Sequence, residues 1–102
     1  MRLFHTPSGN VACAILSDGA TCSVLPTNET FVLESGSVAW SEAGVAFPGD
    51  AGDLAPYGTS LEAGQVSCSI PASNEPRGVV CTDSVSGHGF EASRVESRQS
   101  TF

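Results

Sequence analysis

Apolar and polar residues alternate with period two in short runs along the chain: Val11-Ala12-Cys13-Ala14-Ile15, Cys22-Ser23-Val24, Phe31-Val32-Leu33, Val38-Ala39-Trp40, Val45-Ala46-Phe47, Val66-Ser67-Cys68-Ser69-Ile70 and Val79-Val80-Cys81. That period buries one face of an extended strand. Turn formers separate the runs, among them Pro7-Ser8-Gly9-Asn10, Ser17-Asp18-Gly19, Pro48-Gly49-Asp50 and Gly87-His88-Gly89. The cadence predicts an all-β fold, a small antiparallel barrel or sandwich. Its core reads as Val11, Ile15, Val24, Phe31, Leu33, Val38, Trp40, Val45, Phe47, Val66, Ile70, Val79 and Phe90. Only the C-terminus departs from this pattern. Ser93 and Glu96 have capping-box spacing and Val95 and Phe102 lie seven apart, which predicts a short helical turn packing Phe102 onto the sheet. No linker interrupts the chain, and 102 residues hold one core, so 1–102 reads as a single domain.

The cysteines fall on these strands in two local pairs. Cys13 and Cys22 flank a turn, as do Cys68 and Cys81. Four cysteines allow three connectivities. Cys13 facing Cys22 puts Ala14 opposite Thr21 and Ile15 opposite Ala20, leaving Leu16 to Gly19 as a loop with its glycine last, where a left-handed residue is wanted. Cys68 facing Cys81 puts Ser69 opposite Val80 and leaves a longer loop from Pro71 to Gly78. The expectation is therefore two disulfide-stapled hairpins, Cys13–Cys22 and Cys68–Cys81. A zinc site needs tighter spacing, and with no C-x-x-C and both histidines outside the pairs, no metal or other cofactor is expected.

Composition narrows the partners. Eleven acids against four arginines and no lysine give a net charge of −7, with no arginine between positions 3 and 76. Phosphate would be repelled, so nucleic acid is not expected as a partner. No run of 18 apolar residues exists, so no membrane insertion by this segment is expected. The N-terminus meets Pro7 too early to be a signal peptide. Paired cysteines in a small Gly/Ser/Thr-rich domain nevertheless point to an oxidising compartment. The expectation is a secreted or extracytoplasmic protein whose leader is not among these residues.

Candidate chemistry is sparse. His88 between two glycines is the residue best suited to act as a general base, yet a lone imidazole is more simply a turn residue hydrogen-bonded to nearby backbone. Asp50 and Asp53 share a glycine loop without the calcium-loop pattern. Asn28-Glu29-Thr30 fits a glycosylation sequon. Trp40 and Tyr57 are large amphipathic aromatics suited to holding a partner or a sugar. Asn10, Trp40, Tyr57 and His88 are thus the candidate ligand-contact or motif-turn residues, and no catalytic residue is assigned.

Phe4-His5-Thr6-Pro7-Ser8-Gly9-Asn10 running into Cys13, then Pro56-Tyr57-Gly58, Gly78-Val79-Val80-Cys81-Thr82, Gly87-His88-Gly89-Phe90, Ser93-Arg94 and Phe102 together resemble an uncharacterised family of small secreted actinobacterial proteins. This domain of unknown function is marked by F-x-[ST]-P-S-G-N near its start and [ST]-G-H-G-F near its end. The resemblance implies export or lipid anchoring, and it implies three cysteine pairs, the middle one flanking W-G and C-x-G-D segments. Here Ser41 follows Trp40 and Phe47-Pro48 precedes Gly49-Asp50, so the middle pair is lost as a unit. Ala55 interrupts what the family writes as L-P-Y-G. No catalytic residues come with the resemblance. The functional expectation is a non-enzymatic extracellular or cell-envelope binding module whose partner is an unknown protein or envelope ligand. The alternatives are a small secreted hydrolase using His88 as general base and a protease inhibitor presenting the Pro71 to Gly78 loop.

Overall fold

Short turns between successive strands favour pairing of chain neighbours, and the strands divide in chain order. The computed structural model describes residues 2–34, 38–71, 78–93 and 99–102. Strands β1 (Arg2–His5), β2 (Val11–Leu16), β3 (Gly19–Val24), β4 (Glu29–Glu34), β5 (Trp40–Ala43) and β6 (Asp53–Leu54) form one sheet in the order β5-β4-β3-β2-β1-β6. Strands β7 (Ser60–Ala63), β8 (Val66–Ser69), β9 (Val79–Asp83), β10 (Gly89–Ala92) and β11 (Ser100–Thr101) form the second, in the order β11-β10-β9-β8-β7. The fold is a sandwich. All pairings are antiparallel except β1 with β6, which is parallel, because the chain reaches β6 by crossing the whole first sheet.

Both expected bridges are present, Cys13–Cys22 and Cys68–Cys81. Their Cα atoms lie 4.1 and 4.0 Å apart, close to the narrow, non-hydrogen-bonded pair of an antiparallel ladder. The register carries them into matching rows on the two inner faces, Phe4–Cys13–Cys22–Phe31 and Leu61–Cys68–Cys81–Phe90. There the bridges meet back to back, with Cys22 Sγ 3.9 Å from Cys81 Sγ, and all four cysteines are inaccessible to water. Beside them Phe31 stacks on Phe90 with ring centroids 5.7 Å apart, a second contact between the sheets.

Several expectations need correction. Leu16 pairs with Gly19, so the first hairpin turns on Ser17 and Asp18, and Gly19 belongs to β3 without a positive φ. A side chain is excluded there for another reason: a Cβ on Gly19 would lie 2.5 Å from the Leu33 carbonyl oxygen. Val38 and Val45 are exposed and Trp40 and Phe47 only half-buried, because Val38 and Trp40 lie at the β5 border and Val45 and Phe47 in the segment that crosses the outside of the first sheet, while Phe4 and Leu61 are core residues. No helix occurs among the described residues. Residues 94–98 of the expected helical turn lie outside them, and Phe102 returns through a strand: its N–H and C=O exchange hydrogen bonds with those of Gly89, each 2.9 Å.

Candidate functional site

The two outer faces of the sandwich differ, and the difference follows from which residues the register brings outward. On the five-stranded sheet the outward rows are Ser60–Ser69–Val80–Glu91–Ser100 and Glu62–Ser67–Thr82–Gly89, a mainly polar face suited to water. On the six-stranded sheet they are His5–Ala12–Ser23–Thr30–Glu42 and Leu3–Ala14–Thr21–Val32–Trp40. The first of these is covered over its middle, from Ala12 to Thr30, while Glu42 stays exposed. Residues 44–52 run across it from β5 to β6 as a strap, leaving Ala12 and Ser23 without accessible surface.

A chain of hydroxyls fastens the strap. Thr30 Oγ1 donates to the Gly44 carbonyl at 2.8 Å, which leaves the Ser23 hydroxyl to donate to Thr30 Oγ1 at 2.9 Å and to accept from the Ala46 N–H at 2.8 Å. At the far side the His5 Nδ1–H donates to the Ala51 carbonyl at 2.9 Å. Gly52 then passes so close to β1 that a Cβ would lie 2.0 Å from the Leu3 carbonyl oxygen, and its φ is +66°. Only glycine meets both conditions.

The second outward row is buried at Ala14 and opens toward β5. Thr21, Val32 and Trp40 are each half-exposed, and beside them lies a groove of about 350 Å³ lined by Leu16, Gly19, Ala20, Thr21, Val32 and Leu33, with Asp18 and Glu34 on its rim. Leu16 and Val32 offer its apolar surface and Asp18 and Glu34 its charge, which suits a ligand that is part apolar and part cationic. Trp40 stands at the β5 border, its indole Nε1–H donating to Glu42 Oε1 at 3.0 Å.

The candidate residues named from the sequence sit on four separate elements. Asn10 closes the β1–β2 turn, where its carbonyl accepts from the Leu25 N–H at 2.9 Å and its own N–H donates to Ser8 Oγ at 3.3 Å. The left-handed residue of that turn is Gly9, with φ +73°, rather than Asn10. Tyr57 lies just past β6, at the opposite border from Trp40, and is 39% exposed. His88 is in the β9–β10 turn with its Nδ1–H directed to the Phe102 carbonyl at 3.3 Å. No hydrogen bond or ring contact among the described residues joins any two of these four. Of the acids discussed above, Asp50 and Asp53 flank the strap's landing on β1. No group of three or more His, Cys, Asp or Glu with metal-binding geometry occurs among the described residues. No helix long and apolar enough to cross a membrane occurs among the described residues.

Asp83 is the polar residue that the sequence reading missed. It is almost wholly inaccessible, and its carboxylate organises the turn that carries His88. Oδ2 accepts from Gln65 Nε2 at 2.8 Å, while Oδ1 accepts from the N–H groups of Val85 at 2.8 Å and Ser86 at 3.3 Å. The Gln65 amide, and after it the Val85 N–H, hold the Asp83 carboxyl below its ordinary value against the opposing effect of burial. The signal in the sequence was Asp83 followed by Ser84, Val85, Ser86 and Gly87, an Asx-turn pattern. Its partner Gln65, 18 residues away, was not legible.

No family model matches this chain, and no curated protein or solved structure matches it.

Proposed function

We propose that the protein is a non-enzymatic binding module working outside the cytoplasm, attached to or released from the cell envelope, and that it binds through the outer face of its six-stranded sheet. The observation that carries this reading is the asymmetry of the two outer faces. One is polar, whereas the other combines a strap, an apolar row that opens toward β5 and an acid-rimmed groove. A water-facing sheet has no need of Val32 and Trp40 side by side at its accessible end. Two buried disulfides fit an oxidising compartment and give the face a rigid support. The resemblance to small secreted actinobacterial proteins points to the same compartment. The hydrolase alternative draws no support from His88, whose Nδ1–H serves as a tie to the last strand. The inhibitor loop falls on residues 72–77, outside the described residues.

The test is capture by immobilised protein from culture fluid and the envelope fraction of the producing organism, with Val32→Lys alongside. Val32 is half-exposed on a strand face, so a lysine there keeps its head in water and leaves the fold intact. The wild type retains a defined partner and the variant loses it. Retention by both, or hydrolysis of a substrate panel that His88→Ala abolishes, would overturn the reading.

A further inference from the structure

We infer that the free edge of β5 takes an extended segment of a partner protein, carrying two adjacent basic residues, as a seventh strand of the six-stranded sheet; this deepens the proposed function and rests on it. Among the described residues no strand pairs with β5 on its outer side. The Gly44 N–H donates to the Asn28 carbonyl at 2.8 Å, which fixes the alternation along β5. Trp40 and Glu42 bond inward to β4, and the N–H and C=O groups of Ser41 and Ala43 point outward. No hydrogen bond engages these four groups among the described residues. Main-chain pairing at such an edge is the basis of strand addition.

The side chains on both faces of that edge select the charge of the incoming segment. On the outer face, the hydrogen bond from Trp40 Nε1 to Glu42 Oε1 sets an indole ring beside a carboxylate whose other oxygen remains available. A guanidinium or ammonium is attracted by both. On the inner side, a cleft of about 200 Å³ separates β5 from β11, lined by Glu29, Phe31, Ser41, Gln99, Ser100 and Thr101. The cleft has room for a long side chain beside the polar groups of Ser41, Ser100 and Thr101, and Glu29 supplies the charge for its head. Successive residues of a strand point to opposite faces, so adjacent basic residues fill both places at once.

The charge pattern argues against the other occupants of an open edge. Two copies pairing β5 to β5 would bring two Glu42 residues onto one four-residue strand pair in a chain of net charge −7. No lysine, arginine or histidine lies between positions 6 and 76, so none in the strap or in β2 to β5 competes for Glu29 and Glu42. At the opposite border the corresponding cleft holds Arg2 together with Asp53, and no charge preference follows there.

The probe is an acetylated, amidated hexapeptide, Thr-Val-Lys-Arg-Val-Thr, titrated against the intact protein. Trp40 is the one tryptophan in the chain, so its fluorescence reads this edge alone. A saturable change is expected, weakened about tenfold or more when Glu-Glu replaces Lys-Arg or when alternate peptide amides are N-methylated. Glu42→Gln and Glu29→Gln each weaken it several-fold. Ser41→Pro abolishes it, because proline removes an outward N–H that the sheet does not use. Equal binding of the acidic or the N-methylated peptide would overturn the inference, as would the absence of saturation up to millimolar peptide. If capture that depends on Val32 persists in that case, this inference alone fails and the broader reading stands.

Discussion

A variant lacking both disulfides, with all four cysteines replaced by alanine, is expected to be largely unfolded at room temperature. Each bridge closes a short loop, with sequence separations of 9 and 13, and the chain-entropy model assigns about 3 kcal/mol to a loop of that size. Together they supply about 6 kcal/mol, against a total stability of roughly 5–15 kcal/mol for a domain of this kind. The alanines also remove sulfur from the centre of the core, where Cys22 and Cys81 touch across the sandwich. Removal of one bridge should lower the melting temperature by roughly 12–24 °C, from about 4–8 °C per kcal/mol for a domain near this size. Because the bridges are in contact, the two losses should not be strictly additive. Thermal unfolding followed by circular dichroism measures all of this. A quadruple variant melting within a few degrees of the parent would contradict the stapling role.

Gly89→Val is expected to destabilise the protein by about 3 kcal/mol or more, and the reason is steric rather than torsional. Gly89 has no positive φ, yet a Cβ there would sit 2.2 Å from the Cys81 carbonyl oxygen and 3.0 Å from two ring atoms of Phe102. The carbonyl belongs to the central row of the second sheet and cannot withdraw without disturbing the Cys68–Cys81 hairpin. Valine adds a branched side chain to that clash. Gly87 provides the contrast, since its φ is +77° and nothing lies within 4 Å of a Cβ placed on it. Gly87→Ala should cost only about 1–2 kcal/mol, the torsional penalty of a left-handed residue. Urea unfolding of the two variants separates the causes. Equal midpoints, or a Gly89→Val protein as stable as the parent, would show that the close approach does not constrain the turn.

The hairpins were legible in the sequence because they are local. Cys13 opposite Cys22, Ala14 opposite Thr21 and Ser69 opposite Val80 follow from period-two alternation and a nearby turn, and the structure has those registers. The strap was not legible. Val45-Ala46-Phe47 alternates like a strand, but the Ala46 N–H goes to a serine hydroxyl on β3 instead of a neighbouring main chain. Phe4 lay hidden in a short run beside Arg2 and His5, although the inner row places it against Cys13. The apolar outer row was beyond reach for a different reason. It takes one residue from each of five strands, so it exists only once every register is set. Trp40 could be singled out as an aromatic, but its pairing with Glu42, and the outward main chain of Ser41 and Ala43, depend on β5 being the last strand.

Amide hydrogen exchange resolved by residue, recorded on the free protein and then with the dibasic hexapeptide, tests the central claim that this border is an open binding edge. In the free protein the Trp40, Glu42 and Gly44 amides, bonded toward β4, should exchange slowly, while those of Ser41 and Ala43 exchange at rates close to an unstructured chain. The peptide should slow Ser41 and Ala43 selectively. Uniform protection from Trp40 to Ala43 before any peptide is added, or no change at Ser41 and Ala43 at saturating peptide, would contradict it.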